Sequence, residues 1–215
     1  MAIKLTRPYS LIEKSAGFVD VKEFIPSIQL EIRYCTNDNF VGCKIDGYDA
    51  PKCFLTREAA VAIRNIQAEL AQNAQSLKIF DGYRPLLATE HFIRWAKDLS
   101  DQKMKSRYYP AIDKKIIFRD GYISEKSAHS RGSTVDLTIV DLNNNQELDM
   151  GTDFDFFDPL SHTENSTISI TQHDNRIALK SVMERHGFIS LKKEWWHFTL
   201  RNEPYPDRYF DFLVE

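Results

Sequence analysis

A histidine and an aspartate in one short segment stand where they could share a metal ion. The segment runs SAHSRGSTVD, from Ser127 to Asp136. Residues 134–140 alternate between polar and apolar side chains, which predicts a strand with Asp136 on the face opposite the core, towards solvent or a cleft. Gly132 lets the preceding chain turn and could bring His129 alongside Asp136. A neutral imidazole and a carboxylate there would suit Zn²⁺, although the pair also fits a loop histidine and an exposed aspartate.

A second segment, EWWHF, contains Glu194 and His197 among large aromatic residues. Together with His129 and Asp136, His197 gives three protein ligands and leaves a fourth position for water, as catalytic zinc sites require. Glu194 is the candidate general base, because peptide hydrolysis needs a group that accepts a proton. A regular strand would place Glu194 and His197 on opposite faces, so we expect a bend near Trp195. The alternative is a core strand in which both polar residues are incidental.

The turn DGYRP, residues 81–85, supplies a candidate for stabilising negative charge. The guanidinium of Arg84 stays positively charged, so it could stabilise the oxyanion that forms on an attacked carbonyl. Pro85 fixes the backbone immediately after it. The alternative is an ordinary turn with an arginine at the surface.

The surrounding sequence predicts the elements that must position these residues. Strands and helices follow one another without regular alternation, and no glycine-rich phosphate loop follows a strand. We therefore predict an α+β fold with a central, mainly antiparallel sheet flanked by helices. Phe92, Trp95 and Leu99 are expected on one face of the second helix. The predicted strands cover residues 28–34, 77–80, 134–140 and 195–200, and the predicted helices cover residues 56–70, 86–99 and 175–186.

The composition indicates a globular protein with a single domain, residues 1–215. Of the 215 residues, 42% are hydrophobic and 27% charged, which is typical of a folded domain. The formal net charge is −3 and no basic run stands out, so we expect no nucleic-acid partner. No stretch approaches the roughly 18 to 20 apolar residues of a membrane span. Residues 1–18 lack the apolar core of a secretion signal, so we expect a cytoplasmic location, or a periplasmic one if a signal was removed.

Three cysteines and a long loop occupy one part of the chain. Cys35, Cys43 and Cys53 fit neither a disulfide framework nor a thiolate zinc site, so we predict free or packed thiols, with one bridge as the alternative. Residues 37–51 show no sustained period, which predicts a loop of a length that is often functional. The sequence carries no signal for an oligomeric state.

Six segments of the chain occur together, in the same order, in one known family. They are IRYCTNDNF, DGYRP, SAHSRGSTVDLTIVDL, ELDMGTDFDFF, HGF and EWWHF. Over about residues 21–200 the chain resembles the D-alanyl-D-alanine dipeptidases associated with vancomycin resistance, within the zinc D,D-peptidase superfamily. The resemblance implies one zinc ion in an α+β fold. It gives the metal-ligand role to His129, Asp136 and His197, the general-base role to Glu194 and the stabilisation of the transition state to Arg84.

The resemblance also implies a closed pocket for a free dipeptide, a substrate that is charged at both ends. The ammonium group needs an acidic partner, and Asp155 matches the family position for that residue. Tyr34 and Ser127 match positions near the substrate. The other histidines match no ligand position, so we expect surface or packing roles for His91, His162, His173 and His186.

Two other functions stay open on the sequence alone. A D,D-carboxypeptidase or endopeptidase of peptidoglycan would use the same zinc centre with a pocket for longer peptides. Residues 40–53 depart from the family motifs, so the mouth of the pocket, and with it the length of the substrate, stays open. A non-catalytic zinc-binding interaction module would share the fold, but it would not need both Glu194 and Arg84. We therefore expect a zinc-dependent enzyme that hydrolyses D-Ala-D-Ala to two D-alanines.

Overall fold

The computed structural model describes residues 17–117 and 126–215. No helix in these ranges is long and apolar enough to cross a bilayer. The expected cytoplasmic location rests on residues 1–18, which lie almost wholly outside the described residues, so it stays a prediction. The helices are α1 (Val21–Phe24), α2 (Arg57–Ala71), α3 (Leu86–Lys97), α4 (Lys105–Tyr108) and α5 (Ile170–Arg185). The strands are β1 (Phe18–Asp20), β2 (Gln29–Leu30), β3 (Phe54–Thr56), β4 (Gln75–Asp81), β5 (Thr134–Asp141), β6 (Gln146–Glu147), β7 (Phe188–Ser190) and β8 (His197–Leu200).

A central sheet with the strand order β2-β4-β5-β8-β7 forms the scaffold. β8 pairs with the beginning of β5, at Thr134 to Asp136, and β6 pairs with its end, at Val140 and Asp141. Among the described strands of this sheet, only β2 and β4 run parallel, and the other pairs are antiparallel. β1 and β3 form a separate antiparallel pair. The prediction of an α+β fold with a mainly antiparallel sheet is confirmed.

The central strand β5 is buried on both faces. Its apolar side chains, such as Leu137, lie in the core, as the alternating pattern predicts. Its polar face is also covered, since Asp136 is 2% exposed and Thr138 is 0% exposed. Of the two environments expected for Asp136, the structure therefore shows the cleft and not the open solvent.

The predicted strand over residues 28–34 is wrong in its length. Only Gln29 and Leu30 pair with β4, and a 3-10 turn follows at Arg33–Cys35. The amide of Ile45 donates to the carbonyl of Tyr34 at 2.9 Å, so the long loop covers this segment. Burial beneath that loop accounts for the apolar positions without an extended strand. The loop itself, residues 36–53, contains no regular helix or strand, as predicted.

The three long helices exist as predicted, but two of their ends differ. Thr56 caps α2 through its hydroxyl, which accepts the amide of Ala59 at 3.4 Å. α3 ends at Lys97, so Leu99 is 44% exposed and does not share the buried face of that helix. α5 begins at Ile170, well before the predicted residue 175, because Ser169 and the residue three positions later form a capping box.

Candidate active site

Two paired strands and one short turn bring the metal-ligand candidates together. Asp136 on β5 and His197, the first residue of β8, are direct partners in the antiparallel pair. Because facing residues of such a pair project on the same side of the sheet, their side chains meet. His129 lies in the 3-10 turn Ala128–Arg131, which immediately precedes β5.

The three side chains present their donor atoms to one another. Nε2 of His129 lies 3.2 Å from Oδ2 of Asp136, and Nδ1 of His197 lies 3.0 Å from Oδ1. The ligand atoms fall within 4.8 Å of one another, and no second group of this kind occurs among the described residues. Burial opposes ionisation of Asp136, but the two imidazoles hold the pKa of this carboxyl below its usual range. Two imidazoles and one carboxylate form a donor set that fits a zinc ion.

The backbone fixes the orientation of His129. Its Nδ1 lies 2.7 Å from the carbonyl oxygen of Gly82, so Nδ1 carries the proton and Nε2 keeps a lone pair for a metal ion. The turn ends at Gly132 with a φ of +82°. A Cβ at this position would lie 2.2 Å from the ring of Phe18, so a larger residue would not fit. The turn predicted at Gly132 therefore exists and brings His129 to Asp136.

Glu194 lies in a turn that precedes β8. The amide of His197 donates to the carbonyl of Glu194 at 3.3 Å, which is the bend that the sequence requires. Oε2 of Glu194 consequently lies 3.6 Å from Nδ1 of His197. Burial raises the pKa of Glu194 to about 7, with the charge of His197 opposing this shift and that of Asp136 adding to it. A carboxyl with a pKa near neutrality can accept a proton and return it.

Arg84 lies beside the ligand candidates and is not the surface residue of an ordinary turn. Its side chain is 13% exposed, and the guanidinium carbon lies 5.2 Å from the ring centres of both Tyr34 and Phe92. Nη2 lies 3.8 Å from Oδ2 of Asp136. Nη1 donates to the hydroxyl of Ser127 at 3.4 Å. The guanidinium therefore lies against a pair of aromatic rings, whose centres are 5.1 Å apart, at the edge of the candidate metal centre.

Asp81 holds Arg84 in this position, a role that the sequence interpretation missed. Nε and Nη2 of Arg84 both donate to Oδ2 of Asp81, at 3.0 and 2.8 Å. Oδ1 accepts a hydrogen bond from the hydroxyl of Tyr48 at 2.6 Å, so the long loop supports the same carboxylate. Burial raises the pKa of Asp81, although the charge of Arg84 opposes the shift. The position of Asp81 three residues before Arg84 in one turn was the available signal.

All of the predicted site residues line one cavity of about 240 Å³. Its walls include the three ligand candidates, Glu194 and Arg84, together with Tyr34, Ser127 and Asp155. The hydroxyl of Tyr34 donates to Oδ2 of Asp155 at 2.8 Å. Asp155 is 6% exposed and has a φ of +61°, an uncommon backbone conformation for a residue other than glycine. The sequence therefore identified residues that the fold brings into a single cavity.

A buried arginine anchors the loop that carries Asp155. Arg176 on α5 is 0% exposed and donates to the carbonyls of Met150, Leu160 and His162, at 2.6, 2.8 and 2.7 Å. Burial lowers the pKa of Arg176 to about 10. These bonds fix both ends of the loop around Asp155. The sequence interpretation missed Arg176, because an arginine in a helix gives no signal of its carbonyl partners.

Aromatic side chains close one side of the cavity. The ring of Phe40 lies 4.8 Å from that of Phe92 and 5.0 Å from that of Phe157. All three residues line the cavity, and Phe40 is 2% exposed. The sequence of residues 40–53 left the length of the substrate open. In the structure, this segment contributes Phe40 to the wall of the cavity.

The remaining histidines and the cysteines lie outside the candidate metal centre. Nδ1 of His91 accepts the amide of Asp46 at 3.1 Å, and His186 pairs with a glutamate of α2 at 2.7 Å. His162 and His173 belong to no metal-ligand group of the described residues. The three cysteines are free thiols, as predicted.

Comparisons with known proteins show which family the chain is similar to. A family model described as D-ala-D-ala dipeptidase matches residues 14–215. The D-alanyl-D-alanine dipeptidase of Enterococcus faecalis is 40% identical over 198 residues, which cover 92% of this chain and 98% of that protein. The enzyme of the same name from Streptomyces coelicolor is 39% identical over 200 residues, or 93% and 99% of the two chains.

More distant proteins also match. The D-alanyl-D-alanine dipeptidase of Escherichia coli is 29% identical over 182 residues, which cover 85% of this chain and 83% of that protein. A crystal structure of the vancomycin-resistance D,D-pentapeptidase VanY matches with a TM-score of 0.41 and 15% identity, over 70% of this chain and 74% of its own. The family model and the relatives of about 200 aligned residues show that this chain belongs to the D-Ala-D-Ala dipeptidase family.

Proposed function

We propose that this chain hydrolyses the dipeptide D-alanyl-D-alanine to two molecules of D-alanine with the help of one zinc ion. The observation that carries the proposal is that these groups line one cavity of about 240 Å³: the three ligand candidates, the carboxyl base Glu194, the guanidinium of Arg84 and the carboxylate of Asp155. The names of the relatives at 40% and 39% identity support the same substrate.

His129, Asp136 and His197 are the residues that would hold the zinc ion. They offer three donors, and the described residues supply no fourth donor in the same group, which is the pattern of catalytic zinc sites. When bound, zinc supplies a Lewis acid that polarises the scissile carbonyl and lowers the pKa of water to about 7.

Glu194 is the group that moves the proton. It accepts a proton from the attacking water as the new bond forms between the water oxygen and the carbonyl carbon. It then delivers that proton to the amine nitrogen as the peptide C–N bond breaks. The carbonyl carbon keeps the hydroxyl of the water and the amine nitrogen gains its proton, so the products are two D-alanines. The pKa of Glu194, raised to about 7 by burial, suits both transfers at neutral pH.

Arg84 stabilises the negative charge that develops on the attacked carbonyl oxygen. Its Nε and Nη2 are held by Asp81, so the guanidinium is oriented before the substrate arrives. Such preorganised donors are effective because they need no rearrangement as the charge forms. Nη1 donates to the hydroxyl of Ser127 at 3.4 Å, and both residues line the cavity.

Asp155 binds the ammonium group of the dipeptide. Burial, and then the negative charge of Asp136, raises the pKa of Asp155 well above its usual range. A buried carboxylate is unfavourable until an opposite charge pairs with it, and the free amino end of a dipeptide brings that charge close to the scissile carbonyl. A longer peptide brings an uncharged amide instead. Asp155 therefore favours a dipeptidase over a carboxypeptidase of stem peptides.

The direct test is the hydrolysis of D-Ala-D-Ala by the purified chain loaded with one equivalent of zinc. We expect two D-alanines for each dipeptide consumed, loss of activity on chelation and recovery when zinc is added. A zinc-loaded chain that leaves D-Ala-D-Ala intact but releases the terminal D-alanine of a pentapeptide would contradict the proposal and favour the carboxypeptidase.

A further inference from the structure

The hydroxyl of Tyr48 is connected to the guanidinium of Arg84 through one buried carboxylate. It donates to Oδ1 of Asp81 at 2.6 Å, while Oδ2 of the same carboxylate accepts Nε and Nη2 of Arg84, at 3.0 and 2.8 Å. Tyr48 and Asp81 are each 1% exposed. Of these three described residues, Arg84 alone lines the cavity. Tyr48 can therefore act on the reaction only through its neighbours.

The two oxygens of the Asp81 carboxylate have different partners. With Tyr48 on Oδ1 and Arg84 on Oδ2, a rotation of the carboxylate would disturb hydrogen bonds at both ends. Without the hydroxyl of Tyr48, Oδ1 would lose a short hydrogen bond in a buried site, which is costly for a carboxylate. The carboxylate would then gain by turning towards other donors, and the guanidinium would lose its fixed partner.

Tyr48 is itself held in place. The backbone on both sides of it bonds to Val214. The amide of Val214 donates to the carbonyl of Gly47 at 2.9 Å, and the amide of Asp49 donates to the carbonyl of Val214 at 2.7 Å. Burial raises the pKa of Tyr48 well above its usual range, so the hydroxyl keeps its proton and acts as a donor. Tyr48 is therefore a fixed donor to Asp81.

The other contacts of Arg84 within the described residues are weaker than those with Asp81. The hydrogen bond from Nη1 to the hydroxyl of Ser127 is long, at 3.4 Å. Nη2 lies 3.8 Å from Oδ2 of Asp136, which is beyond hydrogen-bond distance. The contacts with aromatic rings leave the guanidinium without a second short hydrogen bond. Its orientation therefore depends mainly on the Asp81 carboxylate.

We propose that Tyr48 is a positioning residue for the hydrolysis, because its hydroxyl acts through Asp81 to hold the guanidinium of Arg84 beside the attacked carbonyl oxygen. This inference rests on the proposed dipeptidase function of the same cavity. Donors that are oriented in advance need no rearrangement as charge forms, so a guanidinium that must reorient stabilises the transition state less. Loss of a contact that acts in the transition state lowers kcat and leaves KM nearly unchanged.

The test is a double-mutant cycle on the zinc-loaded protein with D-Ala-D-Ala as substrate. The values of kcat, KM and zinc content are measured for the wild type, Tyr48→Phe, Arg84→Ala and the variant with both substitutions. Tyr48→Phe removes the hydroxyl and keeps the ring. It should lower kcat about tenfold, within the loss of about 10² that a misplacement of about 1 Å can cause, with KM and zinc content unchanged. In the Arg84→Ala background, it should change kcat less than about twofold, because the group that it positions is absent.

Tyr108→Phe is the matched control. Tyr108 is also a buried tyrosine whose hydroxyl donates to a carboxylate, that of Asp38 at 3.4 Å, and it is not among the described residues that line the cavity. We expect Tyr108→Phe to keep the kcat of the wild type. An equal loss of kcat in Tyr108→Phe and Tyr48→Phe would mean a general effect of removing a buried hydroxyl, and it would overturn the inference.

The affinity for a transition-state analogue gives a second measurement, which does not depend on turnover. A phosphinate analogue of the dipeptide carries negatively charged oxygen on a tetrahedral centre, as the attacked carbonyl does in the transition state. Calorimetry on the zinc-loaded proteins should show a Kd about tenfold higher in Tyr48→Phe than in the wild type. In the Arg84→Ala background, Tyr48→Phe should leave this Kd unchanged.

Three further results would overturn the inference. The first is that Tyr48→Phe leaves both kcat and the Kd of the analogue unchanged. The second is a loss of kcat by the same factor in both backgrounds, and the third is a higher KM without a lower kcat. If the wild type cleaves a pentapeptide but not D-Ala-D-Ala, the proposed function fails, and the same cycle on the pentapeptide tests Tyr48. If it cleaves neither, the Kd of the analogue decides, and absent binding would contradict the inference.

Discussion

The hydroxyl of Tyr34 donates to the carboxylate of Asp155 at 2.8 Å, although the two residues are 121 positions apart in the chain. The ring of Tyr34 also lies 5.2 Å from the guanidinium carbon of Arg84. One side chain therefore contacts both the proposed ammonium partner and the proposed oxyanion partner.

Asp155→Asn should stabilise the ligand-free protein at neutral pH. Burial is the first cause of the raised pKa of Asp155, and it does not depend on a metal ion. Because the folded pKa lies above the unfolded value, folding binds a proton, and the ionised carboxylate destabilises the native state increasingly as the pH rises. Asparagine removes this penalty and can still accept the hydroxyl of Tyr34. Urea denaturation should show a gain on the order of 1 to 3 kcal/mol at about pH 8 that disappears near about pH 4.

The control for this prediction is Asp153→Asn, because Asp153 lies on the same loop and is exposed. That variant should show no comparable dependence on pH. Asp155→Asn should also reduce kcat/KM for the dipeptide while its zinc content stays at one per chain. A lower stability of Asp155→Asn at pH 8 would show that Asp155 is ionised and well paired without substrate.

Glu194→Gln should bind zinc normally and lose most of its turnover. The amide keeps the shape of the side chain but cannot accept the proton of water, and general acid–base catalysis contributes about 10² to 10⁴ in rate. Metal analysis and kcat should be measured on the same preparation. A zinc-loaded Glu194→Gln variant with a kcat close to that of the wild type would assign the base to another group.

His197→Ala should lose both zinc and activity, since it removes one of three ligands from an open site. His173→Ala is the matched control, because the side chain of His173 is 41% exposed and lies outside the candidate metal centre. Zinc content should be measured by atomic spectroscopy after dialysis against a weak chelator. Full zinc retention by His197→Ala would remove His197 from the ligand set.

Arg84→Lys should recover little of the activity that Arg84→Ala loses. The guanidinium bonds Asp81 through two nitrogens and Ser127 through a third, and a lysine ammonium cannot reproduce this planar arrangement. Arg94→Lys is the control, because Arg94 is 56% exposed and pairs with Asp46 outside the cavity. Wild-type kcat/KM in Arg84→Lys would mean that only positive charge matters at this position.

The sequence predicted the elements with regular patterns and missed those set by tertiary contacts. The alternation in β5 and the capping residue Thr56 were sufficient to place a central strand and a helix. The same kind of alternation over residues 28–34 predicted a strand that is mostly a covered loop, because burial of apolar side chains does not require strand pairing. The earlier start of α5 was recognisable from the capping box at Ser169.

The sequence predicted the residues of the candidate site that carry chemistry, but it did not predict the residues that hold them in place. All eight residues singled out from motifs line one cavity. Tyr48, which supports Asp81 from 33 residues away, and Arg176, which bonds Met150 from 26 residues away, carry no local motif. Their roles arise only when the fold brings distant segments together. The single-domain organisation and the cytoplasmic location stay predictions.

The most direct test of the account compares free D-Ala-D-Ala with its N-acetyl form on the zinc-loaded wild type. The two substrates share the scissile bond and differ in the ammonium group that Asp155 is proposed to bind. Sites built around a polar partner reject analogues that lack it by about 10⁴ or more. We therefore expect a kcat/KM for the free dipeptide at least about 10⁴ times that for the N-acetyl form. Equal kcat/KM values for the two substrates would contradict the account.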